Sequence, residues 1–182
     1  MQTWMIVALV CIAALVVGWI IYDQRRTRML KARFGPAYDQ TVSELGNRRR
    51  AEARLQGREA YVRELRARPM NPSDRAGFVS RWKQCQALFV DDPGRAVEEA
   101  DDLVAQLMRF RGYAADTPYE RTTDIAAAFP HDVERYRQAG EIIERHHSSS
   151  VSTDALRTAF LHYRNLFEDL IGENDEKLKR AS

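Results

Sequence analysis

The chain has 182 residues, of which 30% are charged, and a formal net charge of +2. This length leaves room for one domain plus an anchor. The charges are uneven, because residues 23–68 hold 13 basic and 6 acidic side chains whereas residues 69–182 hold 15 and 20. Of the two cysteines, Cys11 lies in an apolar segment and Cys85 in the polar remainder, which excludes an internal disulfide.

The first element is an apolar segment of 19 residues, Trp4–Tyr22, that contains no charged side chain. Ten of its residues are Ile, Leu or Val. A helix of this length spans about 28 Å, close to the roughly 30 Å hydrocarbon core of a bilayer. Aromatic rings near its two ends, at Trp4, Trp19 and Tyr22, are typical of the headgroup level. The segment predicts a transmembrane helix, with residues 1–22 as the anchor.

A cleaved signal peptide is the alternative interpretation of this segment. Residues 1–3 carry no basic side chain, and no small-x-small cleavage site follows the apolar run. Basic residues follow it instead, at Arg25, Arg26, Arg28, Lys31 and Arg33. Because positive charge stays in the cytoplasm, we expect a single-pass protein of the cell membrane with its N-terminus outside and residues 23–182 inside.

Two helices are predicted in the basic stalk, which comprises residues 23–68. The first runs over residues 36–45 and stops at Gly46, and the second runs over about residues 48–66. The second helix has a narrow apolar stripe, which suits a stalk or a weak helix–helix seam rather than a core helix. The turn-rich residues 69–74 mark the boundary of the next domain.

The remainder predicts a bundle of about four amphipathic helices over residues 69–172, followed by a polar tail at 173–182. Capping signals mark three of the helix starts: Ser73, Asp92-Pro93 and Thr117 with Glu120. The central helix, which follows Pro93, should bury Val97, Ala100, Val104 and Leu107. No segment alternates with period two, so the predicted fold class is all-α.

The basic residues next to the anchor, Arg25, Arg26 and Arg28, are candidate contacts for anionic lipid headgroups. On a straight helix they lie within about 9 Å of Tyr22, inside the reach of a membrane surface potential. The alternative is that they only set the topology. The arginines of residues 48–58 suit nucleic acid by charge alone, but interleaved glutamates and a single nearby tyrosine favour a solvated or lipid-facing stalk.

Metal or hydrolytic chemistry is a further alternative, carried by His146, His147 and His162 with nearby acids. Neighbouring histidines point about 100° apart on a helix, and neither CxxC nor HExxH accompanies them. The acidic run at residues 91–102 lacks the alternating ligands and glycine of a calcium loop, and Cys85 falls in an apolar stripe. No GxSxG, Walker or GxGxxG pattern is present, so no catalytic, cofactor-binding or metal residue is predicted.

Several stretches carry a resemblance to known sequences: Leu30–Asp39, Gly46–Ala53, Trp82–Pro93, Ala100–Val104, Arg111–Tyr113 and Leu156–Phe167. Together they are similar to a family of bacterial hypothetical proteins, found in actinobacteria and related groups, that are labelled only as membrane or secreted. The resemblance covers most of the chain after the anchor and implies a shared helical domain. It implies no activity and no site residues.

These patterns favour a non-catalytic interaction or scaffold module that presents its bundle to a cytoplasmic protein partner or to its own copy. The candidate partner contacts are Phe110, Arg111 and Tyr113, although Phe110 and Tyr113 suit the core equally well. A tethered metal-binding or hydrolytic domain and nucleic-acid binding through the stalk are the alternative functions.

Overall fold

A computed structural model describes the backbone of residues 2–67 and 70–172 and the side chains of residues 12–65 and 70–172. Within these ranges the chain forms eight helices and no strand. Their bounds are α1 Gln2–Phe34, α2 Pro36–Leu45, α3 Arg48–Ala67, α4 Pro72–Asp91, α5 Pro93–Phe110, α6 Pro118–Ala128, α7 Val133–Ser148 and α8 Thr153–Leu170. The predicted all-α fold class is therefore confirmed. The predicted tail at residues 173–182 lies outside the described residues.

The helices form two compact units, unit 1 at residues 1–54 and unit 2 at residues 55–182, with the division inside α3. The sequence predicted an anchor, a stalk and a bundle domain with boundaries after residues 22 and 68, and those boundaries stay predictions. Each unit has buried side chains of its own.

Short turns join the three helices of unit 1. Gly35 leads from α1 directly into α2. Gly46 ends α2 at the predicted place with a φ of 58°, a left-handed conformation that glycine adopts at little cost. The Asn47 side chain then accepts hydrogen bonds from the backbone N–H groups of Arg49 and Arg50, at 2.9 and 3.2 Å, and so caps α3.

The first turns of α3 lie beside the middle of α1 and run in the same direction. Arg48 pairs with Asp23, and one turn farther along the Thr27 hydroxyl donates to Glu52 at 2.8 Å. Between them in the chain, α2 runs back along α1. Helix α2 and the first turns of α3 are therefore folded against α1, a return that local sequence patterns did not predict.

The predicted transmembrane span falls on α1, which is one continuous helix over Gln2–Phe34. Among the described side chains, which begin at residue 12 in this helix, no helix is both long enough and apolar enough to cross a membrane. Residues 4–11 of the predicted span lie outside the described side chains. That finding gives no support to the predicted span, which stays a prediction.

The central helix of unit 2 is α5, which packs against α4, α7 and α8. Its predicted apolar face is fully buried, and the members of that face are Val97, Ala100, Val104 and Leu107. On the neighbouring helix, Trp82 of α4 stacks against Phe160 and Phe167 of α8, with ring centroids 5.0 and 4.8 Å apart. These aromatic contacts close the core between the first and the last helix of the bundle.

Helix starts in unit 2 follow the predicted caps with one exception. Asp92 caps α5, and the Thr117–Glu120 capping box begins α6. The start of α4 was predicted wrongly, because the cap is Asn71 and not Ser73. Pro72 has no amide donor and therefore fits the first helical position, which places the cap one residue before it.

Candidate functional site

The described side chains of α1 begin at residue 12 with an exposed apolar stretch. Every residue from 12 to 22 is exposed, and the side chain of Leu15 is the most open large one at 74%. Because the exposed positions are consecutive, apolar surface surrounds this part of the helix. A helix that is apolar all round is typical of burial in a membrane or in the core of a large protein.

Basic side chains follow this surface on the same helix. Arg25 and Arg28 are exposed, and within the described part of the chain neither is paired with a carboxylate. Arg26 is half-buried. The three predicted lipid-facing arginines therefore lie just beyond the apolar stretch, two of them with guanidinium groups open to solvent.

A buried carboxylate joins the three helices of unit 1. Glu52 is 2% exposed and accepts hydrogen bonds from the hydroxyls of Thr27 and Tyr38, at 2.8 and 3.0 Å. Arg48 Nε lies 3.4 Å from the same carboxylate. Burial and the hydrogen bond to Glu52 raise the pKa of Tyr38 to about 12. The cluster fixes where α3 starts along α1.

A second basic group, Arg48–Arg50 at the start of α3, lies beside the end of the apolar stretch of α1. The guanidinium carbon of Arg49 lies 5.7 Å from the centroid of the Trp19 ring, within cation–π range. Arg48 is held by Asp23 and Glu52, whereas Arg50 is exposed and has no partner among the side chains that the structure describes.

Arg58, the last arginine of the predicted nucleic-acid patch, lies in unit 2 and has a structural role. Its Nε and Nη2 each donate to the carboxylate of Asp124 at 2.5 Å, and the backbone N–H of Ala114 donates to that carboxylate at 2.8 Å. Asp124 is 1% exposed. The hydrogen bond to Asp124 raises the pKa of Arg58. This bidentate pair holds the second part of α3 against α6.

The three predicted partner contacts occupy different environments. Phe110 is 54% exposed at the end of α5. Arg111 is half-buried and donates to the backbone carbonyl of Leu65 at 3.2 Å. Tyr113 is buried with its ring 6.1 Å from that of Phe129. Of the three residues, only Phe110 is exposed to a partner.

Phe110 belongs to a small aromatic patch, which we define as Phe78, Arg81 and Phe110. The rings of Phe78 and Phe110 lie 5.4 Å apart, and the guanidinium carbon of Arg81 lies 6.0 Å from the Phe78 ring. Arg81 also donates to the side chain of Gln106 at 2.8 Å. A shallow depression of about 260 Å³ opens beside the patch, lined by Ser73, Asp74, Gly77, Phe78 and Arg81.

The three histidines of the alternative metal-binding hypothesis, His146, His147 and His162, have different surroundings. His147 pairs with Glu98 at 2.7 Å, and its ring centroid is 6.5 Å from that of His146. The His146 ring packs closely on Gly94, so a Cβ at that position would have to displace the ring. Burial and the charge of Arg135 lower the pKa of His162. Among the described residues, no group of three or more His, Cys, Asp or Glu side chains could hold a metal ion.

The acidic run is divided among several structural contacts. Asp92 caps α5, Glu99 pairs with Arg95 at 3.1 Å, and Asp101 pairs with Arg121 at 3.0 Å. Cys85 of the facing helix is buried, and its burial raises the pKa of the thiol. A thiol with a raised pKa is a weak nucleophile at neutral pH.

A cleft of about 320 Å³ opens beside the Asp101–Arg121 pair and is lined by Tyr136, Tyr163 and Gly140 as well. Tyr136 donates weakly to Asp101 at 3.5 Å. Burial, followed by the nearby charge of Asp101, raises the pKa of both tyrosines. Their hydroxyls therefore stay protonated at neutral pH and act as donors to a carboxylate that is already paired.

Two carboxyl groups lie close together where α7 begins, that of Asp132 before α7 and that of Asp169 on α8. Asp132 is buried, shares a hydrogen bond with Asp169 and is approached by Arg135 at 3.1 Å. Burial and the neighbouring carboxyl raise the pKa of Asp132, while Arg135 lowers it in part.

No protein-family model matches the chain, and no match was found among curated proteins or among solved structures.

Local spacing carries no signal for the contacts that organise both units. Glu52 meets Thr27 across 25 positions, and Arg58 meets Asp124 across 66 positions. Glu52 directly follows the buried Ala51 at the narrow apolar stripe of α3. This neighbourhood was the one available hint in the sequence that the Glu52 carboxylate is buried.

Proposed function

We propose that this chain is a single-pass membrane protein whose helical unit 2 binds a protein partner in the cytoplasm. The observation that carries the proposal is the unbroken exposed apolar surface at residues 12–22. Ten aliphatic residues of the segment Trp4–Tyr22, at about −0.3 to −0.6 kcal/mol each, favour insertion by roughly 3–6 kcal/mol. The arginines at 25, 26 and 28 favour a cytoplasmic placement of the remaining chain, which includes unit 2.

The contact with the partner is proposed at the aromatic patch. The patch combines the exposed Phe110 with the half-buried Phe78 and with Arg81, and aromatic and arginine side chains are enriched at the centres of protein interfaces. The Arg81 guanidinium uses one of its five N–H donors on Gln106, so the others remain for an incoming carboxylate. The proposed partner segment therefore offers an apolar side chain to Phe78 and Phe110 and an acidic side chain to Arg81.

The anchor is tested by placing charge in the apolar stretch of the full-length chain. Ile12→Arg with Leu15→Arg should move most of the protein from the carbonate-resistant membrane fraction to the soluble fraction, because each arginine near a bilayer centre costs about 3 kcal/mol. The matched control, Met29→Arg with Leu161→Arg, changes two exposed apolar residues elsewhere and should stay in the membrane fraction. A wild-type chain recovered in the soluble fraction would overturn the proposal.

The partner contact is tested with a photo-crosslinking amino acid at position 110 in intact cells. We expect one defined crosslinked band, lost when Arg81→Glu is added, and no such band from the control position Leu161, which is also exposed. A band at twice the mass of the chain would identify a second copy as the occupant. A band that persists with Arg81→Glu contradicts the patch as the contact.

A further inference from the structure

We propose that the start of α3 forms an anionic-lipid headgroup site together with the end of the apolar stretch of α1. The residues that would touch the headgroup are Arg49 and Arg50, with Trp19 as the apolar neighbour. This inference rests on the proposed function, because it requires α1 to be held in a membrane. It adds a basic group that lies more than twenty positions beyond the arginines that directly follow the span.

The position of Arg49 is the first observation. Its guanidinium carbon lies 5.7 Å from the Trp19 ring, and Arg48 contacts Asp23 on the next turn of α1. Tryptophan near the end of an apolar helix is typical of the headgroup level of a bilayer. Arg48 and Arg49 therefore lie nearer to that level than Arg28, which is about 9 Å beyond Tyr22 on the same helix. Arg50 follows Arg49 in the first turn of α3.

The rigidity of this placement is the second observation. The buried carboxylate of Glu52 accepts hydrogen bonds from Thr27 of α1 and Tyr38 of α2, and Arg48 of α3 approaches it at 3.4 Å. Asn47 caps α3 through the backbone N–H groups of Arg49 and Arg50. All three helices of unit 1 thus fix the first turn of α3 before any lipid binds, which lowers the entropic cost of binding.

The charge balance is the third observation. Arg48 is neutralised by Asp23 and Glu52. Arg25, Arg28, Arg49 and Arg50 have no carboxylate partner among the side chains that the structure describes. Four guanidinium groups without counter-charges, two on α1 just beyond the apolar stretch and two in the first turn of α3, suit phosphate oxygens, which arginine binds in a bidentate manner. The lipid class is one with a phosphodiester and a net negative charge, such as phosphatidylglycerol.

The experiment reconstitutes the full-length chain in phosphatidylcholine vesicles and adds spin-labelled phosphatidylglycerol or spin-labelled phosphatidylcholine. The fraction of motionally restricted label gives the preference of the protein for the anionic lipid. One arginine near an anionic surface is worth about a fivefold preference, so Arg49→Gln with Arg50→Gln should lower the preference by about 5- to 25-fold. In high salt the wild-type preference should fall toward that of the variant, because screening shortens the reach of the charges.

Two matched variants test whether the Arg49 and Arg50 side chains cause the preference for anionic lipid. Arg63→Gln with Arg157→Gln removes the same charge from exposed positions of unit 2 and should leave the preference within twofold of wild type. Arg49→Lys with Arg50→Lys keeps the charge but loses the bidentate fork, so its preference should fall between those of wild type and the glutamine variant. A glutamine variant equal to wild type overturns the inference.

The same vesicles distinguish loss of the lipid site from loss of the membrane anchor. A chain that reconstitutes stably and resists carbonate extraction, yet shows no effect of the Arg49 and Arg50 substitutions, keeps the anchor and loses the lipid site. A chain that does not enter the vesicles overturns both. Labelled single-stranded RNA is added to the same vesicles, and RNA binding that falls with Arg49→Gln and Arg50→Gln while the lipid preference stays unchanged also overturns the lipid site.

Discussion

Unit 1 and unit 2 differ in how they treat their apolar side chains. In unit 2 the apolar face of α5 formed by Val97, Ala100, Val104 and Leu107 is buried where α5 packs against α4, α7 and α8, and Trp82 stacks against two rings of α8. In unit 1 residues 12–22 stay exposed, and the helices are joined around one buried carboxylate, that of Glu52. Unit 2 therefore completes its own core, whereas unit 1 leaves surface that suits a surrounding apolar phase.

Polar contacts have different roles in the two units. In unit 2 the Arg58–Asp124 pair is added to an extensive apolar core. In unit 1 the buried apolar set is small, so the hydrogen bonds to Glu52 contribute a larger share of the interactions that fix the helices. Four substitutions test this difference, and they follow in decreasing order of the effect that we expect.

The largest effect is expected from Leu107→Ala in the buried face of α5. Deleting a fully buried leucine side chain costs about 3 kcal/mol through lost transfer energy and the cavity that remains. The measurement is urea unfolding followed by Trp82 fluorescence, with Trp4 and Trp19 replaced by phenylalanine. The exposed control Leu161→Ala should stay within about 0.5 kcal/mol of the parent. Equal effects from both would contradict the core assigned to unit 2.

A smaller loss, about 2 kcal/mol, is expected from Asp124→Asn. The amide cannot accept both guanidinium hydrogen bonds and the Ala114 N–H, and Arg58 loses its counter-charge. The same unfolding assay measures it. Asp154→Asn removes an exposed partner of Arg157 and should cost less than about 0.5 kcal/mol. If Asp124→Asn is as mild as this control, the buried pair adds nothing to the core.

Glu52→Ala should loosen unit 1 alone. It leaves the Tyr38 and Thr27 hydroxyls without their acceptor, at a cost of about 1–2 kcal/mol. Amide hydrogen exchange in α2 should rise about 5- to 30-fold, while exchange in α5 stays unchanged. The exposed Glu44→Ala serves as the control on α2. Faster exchange in α5 would mean that the two units do not unfold separately.

The smallest effect is a pH dependence in unit 2. The pKa of Asp132 is raised in the folded chain, so the folded state binds this proton more tightly than the unfolded state. The resulting stability is fully present below the unfolded pKa of about 4 and is lost as the pH rises through the raised folded pKa. Asp132→Asn should flatten that decline and be about 1 kcal/mol more stable than wild type at pH 7. A wild-type stability that rises from pH 4 to pH 7, with no change in slope for Asp132→Asn, would contradict it.

Local sequence signals predicted the helices well because helix starts and stops are decided within a few residues. Asp92-Pro93, the Thr117–Glu120 capping box and Gly46 each act over one turn, and each lies where the pattern placed it. The buried face of α5 was readable for the same reason, since spacing along one helix defines one face. The cap of α4 was missed because two neighbouring residues, Asn71 and Ser73, are both good capping types, and only Pro72 between them decides.

An all-helical chain, most of its capping sites and an apolar stretch at residues 4–22 followed by arginines can be read from local patterns in the amino-acid sequence. The contacts of Arg49 with Trp19, Glu52 with Tyr38 and Arg58 with Asp124 arise from the packing of whole helices. The two kinds of feature differ in the distance along the chain over which they act. Capping and amphipathic periodicity act between near neighbours in the chain, whereas the partner of a buried charge is chosen by how whole helices pack, and packing has no signature in local spacing.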